Sequence, residues 1–435
     1  MAAGAWSTLA LSLGCEGGAS NPPSGSAACA KDDSSRPLGQ AEPSAGSADP
    51  YAPLRGFCDG VTGPDDQEFA ARRERACEAM RRAGLDLLVF EAGLNMRFFS
   101  GVGWGRSERP VLYALFADGE QAWTGPAFEA ARIREKAGAQ AKLAVWEEQA
   151  NPYEACRDLL SGLGGKTHRI GLDPNMRLFV ADGIRKAFPK SKVVDGAPAI
   201  ASVRMVKTPA ELVRLRRANE ATKAALAHAS TMIGVGMGEG EAKTIIRDAQ
   251  EAAGLRNIWV LALFGPNAAF PHGTANERSL REGDLALVDT GGDLHGYQSD
   301  ITRTWAPAGA SDRAKKAWDV VLAAQSAALG MIKAGNRCGM ADQAARKVIT
   351  DAGFGQGYEQ FTHRLGHGIG IQGHEQPYLR MGNDRILEVG MTMSDEPGIY
   401  VPGEFGVRIE DIVAVTESGA EVFGPRPASL ELPFG

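Results

Sequence analysis

The stretch that decides the fold is residues 285–304, which read LALVDTGGDLHGYQSDITRT. An apolar run that ends at Asp289 is followed by a glycine-rich turn and a second strand-like run, a pattern typical of a β-hairpin. If the hairpin is symmetric about Leu294 and His295, Asp289 lies directly opposite Asp300. Like charges that face each other across two strands destabilise the pair. The sequence therefore predicts a cation between these two carboxylates.

A second hairpin repeats this arrangement at residues 391–410, MTMSDEPGIYVPGEFGVRIE. Centred on Gly403, it places Glu396 opposite Glu410, with apolar residues around the second acid. Directly facing β-carbons lie about 5 Å apart, which again suggests a cation between the carboxylates. Most acids are solvated surface residues, but two facing pairs in apolar strands favour a metal site. A bulge in either hairpin would change the pairing.

An imidazole is supplied by residues 365–375, LGHGIGIQGHE, where glycines let the backbone approach a crowded centre. His367 and His374 lie in this stretch, in a chain with only 7 histidines. With an imidazole from this stretch added, the four acids become a site of four carboxylates and one imidazole. Such an oxygen-rich site suits Mn²⁺ or Co²⁺, with Zn²⁺ and Fe²⁺ also possible.

The 435 residues are enough for two domains and a tail. Residues 1–62 are rich in Ala, Gly, Ser and Pro, and we predict a disordered low-complexity leader there. Residues 63–203 alternate buried strand-like runs with helix-like segments, as an α/β domain does. A capping box at Thr208, with proline at the first helical position, marks the start of a second domain at residues 204–435.

The second domain contains a weak internal repeat. Met232-Ile233 recurs as Met331-Ile332, and Gly236 recurs as Gly335. Each copy is a helix-like segment followed by a strand-like region. Two such halves would pack as one sheet covered by helices and leave a site between them.

Charge and composition limit the partners. The balance of 47 Lys+Arg against 53 Asp+Glu, a net charge of −6, argues against nucleic acid or an anionic membrane as the main partner. No apolar run reaches the roughly 18 to 20 residues of a spanning helix. The six cysteines have neither metal-type spacing nor a disulfide pattern, and we interpret Cys77 and Cys338 as small core or surface residues.

The leader opens with an apolar stretch that ends ahead of Cys15, as in an export signal with a lipidation cysteine. No Lys or Arg precedes this stretch, which is unlike a signal peptide. We therefore expect a cytoplasmic protein, and export or lipid anchoring through Cys15 is the alternative.

The order and spacing of the five ligand candidates resemble the metal-ligand set of the prolidase and aminopeptidase P family. That set is Asp289, Asp300, His367, Glu396 and Glu410. Flanking motifs also match, namely GYQSDITRT at 296–304, EPGIY at 396–400, VRIED at 407–411 and NMRFFSG at 95–101. The resemblance implies an α+β protein with a C-terminal pita-bread domain, a curved pseudo-twofold antiparallel sheet covered by helices. It also implies a smaller creatinase/prolidase N-terminal-like domain and a homodimer.

The same resemblance implies a dinuclear-metal-dependent peptidase of the Xaa-Pro dipeptidase or aminopeptidase P type. Such an enzyme hydrolyses the bond before proline in short peptides through a metal-bridging hydroxide. By position in the motifs, Glu396 would take the proton of that solvent molecule, and His272 and His374 would stabilise the oxyanion beside the substrate. Arg408 would orient Glu410 or bind the substrate's carboxylate.

Two other classes of function stay open. The scaffold also hosts other metal-dependent small-molecule hydrolases and lyases, because fold does not fix function; creatinase-type members lack the full ligand set. A non-catalytic binding member is the second alternative, and such members typically lose ligands, whereas all five are present here. One departure from the family pattern is Asp395, which adds a negative charge directly before Glu396.

Overall fold

The computed structural model describes residues 49–435, so the start of the predicted leader, with Cys15, lies outside the described residues. The sequence predicts a leader up to residue 62, and here the structure differs. Residues 52–54 form a short 3-10 helix, and Leu54 and Cys58 are buried in an apolar core of the second domain. Burial of these two side chains stabilises the segment despite its low-complexity surroundings.

Six helices and six strands follow between residues 66 and 205. The helices are α1 (Asp66–Ala83), α2 (Leu94–Ser100), α3 (Ala130–Ala137), α4 (Pro152–Gly162), α5 (Leu178–Ala187) and α6 (Ala197–Met205). The strands are β1 (Leu87–Glu91), β2 (Leu112–Phe116), β3 (Gln121–Pro126), β4 (Leu143–Trp146), β5 (Arg169–Leu172) and β6 (Lys192–Asp195). They form one mixed sheet in the order β4-β3-β2-β1-β5-β6. Apolar cores lie on both faces, one under α1, α2 and α6 and the other under α4 and α5.

Helix α1 has a regular cap at each end. The Asp65 carboxylate accepts a hydrogen bond from the Glu68 amide at 2.8 Å, which caps the first turn. Gly84 ends the helix in the left-handed conformation at φ 62°, which glycine adopts without strain. The apolar run that follows is β1, and every residue of that strand is buried.

The rest of the chain forms the second domain. Its helices are α7 (Pro209–Ser230), α8 (Glu239–Ala252), α9 (Asp312–Leu329) and α10 (Cys338–Asp351). Its strands are β7 (Arg256–Phe264), β8 (Ala286–Leu294), β9 (Tyr297–Gln298), β10 (Ile301–Trp305), β11 (Gly366–Gly368), β12 (Glu375–Leu379), β13 (Thr392–Asp395), β14 (Gly398–Val401), β15 (Phe405–Arg408), β16 (Asp411–Val415) and β17 (Ala420–Val422).

The predicted repeat is seen in the helices of this domain, whose described strands form three separate sheets. One sheet has the order β10-β8-β7 with β9 beside β8, a second has the order β12-β11-β13-β16-β17, and β14 pairs with β15. Helices α8 and α10 are related by a shift of 99 residues at both ends. Each half has its own apolar core between helices and strands. The domain is therefore built from two halves of helices and strands, as the sequence predicts, with the strands divided between separate sheets where the repeat predicts one.

The helix α7 starts at the predicted capping box. Thr208 Oγ1 accepts from the Glu211 amide at 3.3 Å, and Glu211 Oε2 accepts from the Thr208 amide at 2.9 Å. Both bonds satisfy amide groups that a helix start leaves free. Pro209 occupies the first turn, where its missing amide hydrogen costs nothing.

The register of the first hairpin differs from the prediction by two residues. Asp289 pairs with Thr302, and Asp300 lies in the short break between β9 and β10. The turn falls at His295 and Gly296, both with positive φ, of 56° and 91°. A two-residue turn of this kind needs positive φ at both positions, and the prediction placed the turn one residue too early.

The second hairpin has the predicted register. Gly398 faces Arg408 on one side of the break between strands, and Asp395 faces Asp411 on the other side. Glu396 and Glu410 therefore occupy matching positions between the two ladders.

All four cysteines in the part of the chain that the structure describes are buried and unbridged. Cys77 and Cys338, interpreted as core or surface residues, belong to two of the apolar cores. Within residues 49–435, no helix is both long and apolar enough to cross a bilayer.

Candidate metal centre

One cavity of about 730 Å³ contains every site residue that the sequence analysis named. These residues are His272, Asp289, Asp300, His367, His374, Glu396, Arg408 and Glu410. They come from both halves of the second domain, and the cavity lies between those halves. The structure thus brings together the five ligand candidates and the three additional residues.

The ligand candidates form two adjacent groups that share Glu410. Oxygen atoms of Asp289, Asp300 and Glu410 all lie within 4.8 Å of one another. Ligand atoms of His367, Glu396 and Glu410 meet the same limit. A carboxylate shared by two groups is the arrangement that two neighbouring cations require.

Two fully buried carboxylate oxygens in this cluster have no hydrogen-bond partner among the described residues. They are Asp289 Oδ1 and Glu410 Oε1, and both are buried. A buried acceptor without a partner costs free energy unless another group satisfies it. A divalent cation bound between these oxygens would supply that partner, so the residues fit a metal ion.

Burial and mutual repulsion shift the pKa values of these acids. Burial, followed by the charge of Asp289, raises the pKa of Asp300 well above its ordinary value. Burial and the charge of Asp300 raise the pKa of Glu410 in the same way. Burial also opposes ionisation of Glu396, but the hydrogen bond and charge of His367 outweigh it and lower its pKa to about 2. Metal ions would remove the repulsion that the unbound carboxylates experience.

The imidazole of His367 is held with one nitrogen toward the acids. Its Nε2 lies 3.3 Å from Glu396 Oε1 and 3.6 Å from Asp300 Oδ2. Its Nδ1 lies 3.1 Å from the carbonyl oxygen of Gly368, to which it donates. Such a bond fixes the ring and leaves Nε2 with the lone pair that a metal ligand needs.

Arg408 connects the two acidic groups. Its Nη2 lies 2.5 Å from Asp289 Oδ2, and its Nε donates to Thr302 Oγ1 at 3.0 Å. Thr302 Oγ1 in turn donates to Glu410 Oε2 at 2.7 Å. Because β8 and β10 pair Asp289 with Thr302, the hairpin register itself places both partners of Arg408 side by side.

His374 lies directly beside the ligand candidates. Its ring meets the His367 ring edge-on with centroids 3.9 Å apart. Ligand atoms of His374, His367 and Asp300 also lie within 4.8 Å of one another. Burial and the neighbouring His367 lower the pKa of His374 to about 4, so its ring is neutral near pH 7. His272 lies exposed at the cavity wall.

Sequence reasoning missed two residues that complete this network. His363 Nε2 lies 2.7 Å from the hydroxyl oxygen of Tyr400, which accepts a hydrogen bond from Arg408 Nη1 at 2.9 Å. Burial lowers the pKa of His363 to about 4. Tyr400 stands in the EPGIY motif and His363 lies four residues before His367, so both had a local signal. Trp259 also lines the cavity, and no motif marks it.

The additional acid, Asp395, does not point to a hydrogen-bond partner. Both of its carboxyl oxygens are buried and unpaired among the described residues, and Asp411 faces it on the neighbouring strand. Burial and the charge of Asp411 raise the pKa of Asp395 well above its ordinary value. Asp395 therefore adds less negative charge beside Glu396 than the sequence alone indicates.

The two helix-covered halves and the acidic cluster between them define a pita-bread metallopeptidase. Comparisons with known proteins agree. The family model "Metallopeptidase family M24" matches residues 213–417, and "Creatinase/Prolidase N-terminal domain" matches residues 72–206. The chain belongs to metallopeptidase family M24, and its first domain is the creatinase-like domain that the sequence predicts.

Three relatives illustrate the similarity. An uncharacterized peptidase of Schizosaccharomyces pombe is 38% identical over 372 residues, covering 81% of this chain and 80% of the relative. An Xaa-Pro dipeptidase of Lactobacillus delbrueckii subsp. lactis is 32% identical over 356 residues, covering 79% of this chain and 94% of the relative. The crystal structure of dipeptidase PepE from Mycobacterium ulcerans is 33% identical with a TM-score of 0.79, covering 86% of this chain and 100% of that chain. The protein is thus an enzyme, a metallopeptidase similar to Xaa-Pro dipeptidases.

Proposed function

We propose that the protein is a dinuclear-metal-dependent hydrolase that cleaves the peptide bond before proline in short peptides. The observation that carries this proposal is the meeting of two three-residue ligand groups, sharing Glu410, in one cavity. The similarity to a relative named Xaa-Pro dipeptidase supports the choice of substrate.

The metal ions would be held by the five ligand candidates. These are Asp289, Asp300, His367, Glu396 and Glu410. Oxygen-rich ligands favour Mn²⁺ or Co²⁺, with Zn²⁺ or Fe²⁺ as alternatives. When bound, a pair of divalent ions supplies an activated water nucleophile and a Lewis acid for the scissile carbonyl.

Glu396 is suited to hold the proton that the attacking water loses. As a ligand of a divalent ion, its carboxylate would be held in the ionised form at neutral pH. Ser394 donates to Glu396 Oε1 at 3.0 Å, which fixes one carboxylate oxygen. The other oxygen, Oε2, is not held by this bond. A general base must be ionised and within reach of the proton that it accepts. Glu396 would then pass this proton to the prolyl nitrogen as it leaves.

His374 and His272 would bind the oxyanion that forms when the carbonyl is attacked. A neutral imidazole donates a hydrogen bond without adding charge in the ground state, and the low pKa of His374 keeps it neutral. Such donors act most strongly where negative charge develops in the transition state. Both histidines line the cavity that holds the acids.

The contacts of Arg408 support a role in orienting the acids. Four of its five N–H groups already donate, to Asp289, Thr302, Tyr400 and the carbonyl oxygen of Pro271. A cation with these acceptors has little capacity left for a substrate carboxylate. Of the two roles that we predicted, Arg408 therefore holds Asp289 directly and Glu410 through Thr302.

A substrate panel tests the proposal. The chelated protein, reloaded with Mn²⁺ or Co²⁺, is assayed against Gly-Pro, Ala-Pro, a longer Xaa-Pro peptide and Gly-Leu as a control. Release of the first residue from the proline peptides, and little from Gly-Leu, is expected. Equal rates on Gly-Leu, or no hydrolysis of any proline peptide by the metal-loaded protein, would reject the assignment. The homodimer that the family resemblance implies is tested separately by sedimentation.

A further inference from the structure

A buried ionic cluster lies behind the loop that carries His374. Glu375, the first residue of β12, is 8% exposed, and its Oε1 accepts from Lys207 Nζ at 2.8 Å. Its Oε2 contacts the guanidinium of Arg204. Arg204 Nη2 also donates to Gln372 Oε1 at 3.1 Å. Arg204, in the last turn of α6, and Lys207, just after that helix, thus hold both ends of the segment 372–375.

The cluster continues into the first domain. Arg204 Nη1 donates to Asn95 Oδ1 at 2.7 Å, and Asn95 Nδ2 donates to Asp173 Oδ1 at 2.8 Å. Asn95 lies on α2 and is 1% exposed, and Asp173 follows β5 and is 4% exposed. A continuous chain of polar contacts therefore runs from the first domain to the residue beside His374.

The backbone of the loop is fitted to the same carboxylate. A β-carbon added at Gly370 would lie 2.6 Å from Glu375 Oε1 and 3.0 Å from Lys207 Cε. Only glycine allows the loop to pass this close to the ion pair. Gly370 O also accepts from the Gln298 amide at 2.8 Å, which ties the loop to β9. The loop is thus packed against the ion pair on one side and bonded to β9 through its backbone.

Buried ion pairs give little net stability compared with apolar residues of the same size, and their best-supported use is to specify one arrangement. From this geometry we propose that Glu375, clamped by Arg204 and Lys207, is a positioning residue that fixes the His374 loop against the metal centre. Asn95 and Asp173 extend the clamp, so the first domain sets the placement of His374. This inference rests on the proposed function of His374 as an oxyanion donor.

The test uses two variants and a matched control. Glu375→Gln keeps the shape of the side chain and removes its charge, and Asn95→Ala removes an acceptor of Arg204 and leaves Glu375 intact. Glu91→Gln is the control, because Glu91 is fully buried in the first domain, pairs with Arg177 and has no hydrogen bond to Arg204, Asn95 or Glu375. All three are compared as the metal-loaded full chain, with metal content measured.

Kinetics separate positioning from a general loss of structure. Glu375→Gln is expected to lower kcat about 10-fold with both metals retained, because misplaced catalytic groups lose rate. In a His374→Ala background the same change should alter kcat by less than about 2-fold, within the error of additivity. If Glu375→Gln lowered kcat by the same factor in the wild type and in His374→Ala, Glu375 would not act through His374, and the inference would be overturned.

Hydrogen exchange supplies a readout that needs no activity. Glu375→Gln and Asn95→Ala should both accelerate amide exchange in residues 369–374, and Glu91→Gln should not. Unchanged exchange in the two variants would overturn the inference whatever the substrate is. A wild-type protein that fails to hydrolyse proline peptides, or a fully active His374→Ala, would instead reject the proposed function, so the two failures are distinguishable.

Discussion

Replacing Asp300 with asparagine removes one of three carboxylates whose oxygens lie within 4.8 Å of one another. The side chain keeps its size, and the amide of residue 300 keeps its bond to Asn219 Oδ1 at 3.1 Å. The change therefore tests charge with little effect on packing. We expect the metal-free variant to be more stable than the wild type and to bind metal weakly.

The magnitude follows from the distances. At an effective dielectric constant of about 20, two ionised carboxylates no more than 4.8 Å apart repel by about 3.5 kcal/mol or more. Asp300 has two such neighbours, Asp289 and Glu410. Proton uptake relieves part of this repulsion, because the pKa of Asp300 is raised. We therefore expect Asp300→Asn to raise the free energy of unfolding by about 1 to 3 kcal/mol at neutral pH without metal.

The sign of the pH dependence follows from the raised pKa of Asp300. The folded state binds this proton more tightly than the unfolded state, whose pKa is about 3.9. The stability that the proton contributes is complete below that value and is lost as the pH rises through the folded-state pKa. The advantage of the asparagine variant should thus be small near pH 4 and grow as the pH rises.

Denaturant unfolding of chelated protein at pH 5 and pH 8 measures this difference. Metal should stabilise the wild type by about 2.7 kcal/mol at 100 times its dissociation constant, and the variant should lose most of that gain. Asp293→Asn is the control, since Asp293 is buried on the same hairpin but lies outside the acidic cluster. A metal-free Asp300→Asn that is less stable than the wild type at pH 8, or that binds two metals with wild-type affinity, would refute the reasoning.

Three further predictions follow from the same structure. Exhaustive chelation should abolish peptidase activity and Mn²⁺ or Co²⁺ should restore it; a fully active enzyme that contains no metal by elemental analysis would contradict the metal site. His374→Ala should retain both metals while kcat and kcat/KM fall together by about 10²- to 10³-fold, whereas lost metal would make His374 a ligand. Thr208→Ala should lower the free energy of unfolding by about 1 kcal/mol through the lost helix cap of α7, and an unchanged denaturation midpoint would contradict this.

The ligand candidates could be predicted because their signals are local. Facing acids in apolar strands, glycines around His367 and the hairpin turns all lie within short stretches of sequence. The position of the first turn could not be predicted from the same pattern. The alternation of apolar residues allows the turn to be centred either on Leu294-His295 or on His295-Gly296. The structure has the second turn, in which His295 adopts a positive φ. A histidine in that conformation is uncommon, so the sequence gives it little weight.

The same cluster forms although the predicted pairing of Asp289 with Asp300 is wrong. A shift of two residues keeps each side chain on its own face of the sheet, because side chains alternate with a period of two. Asp300 therefore still reaches the cavity, from the break between β9 and β10. A shift of one residue would have moved it to the opposite face, and the argument from facing charges would have failed.

The residues that hold the ligands in place have no comparable local signal. Arg408 and Asp289 are 119 residues apart, and Arg204 and Glu375 are 171 residues apart. Their contacts depend on how the two halves and the first domain pack, and no spacing rule within one strand or helix contains that information. Each of these buried cations has carboxylate partners that are costly to leave unpaired. The packing that brings them together is therefore also the packing that fixes the ligand candidates, and we expect that a substitution far along the chain can disturb the candidate metal centre without touching it.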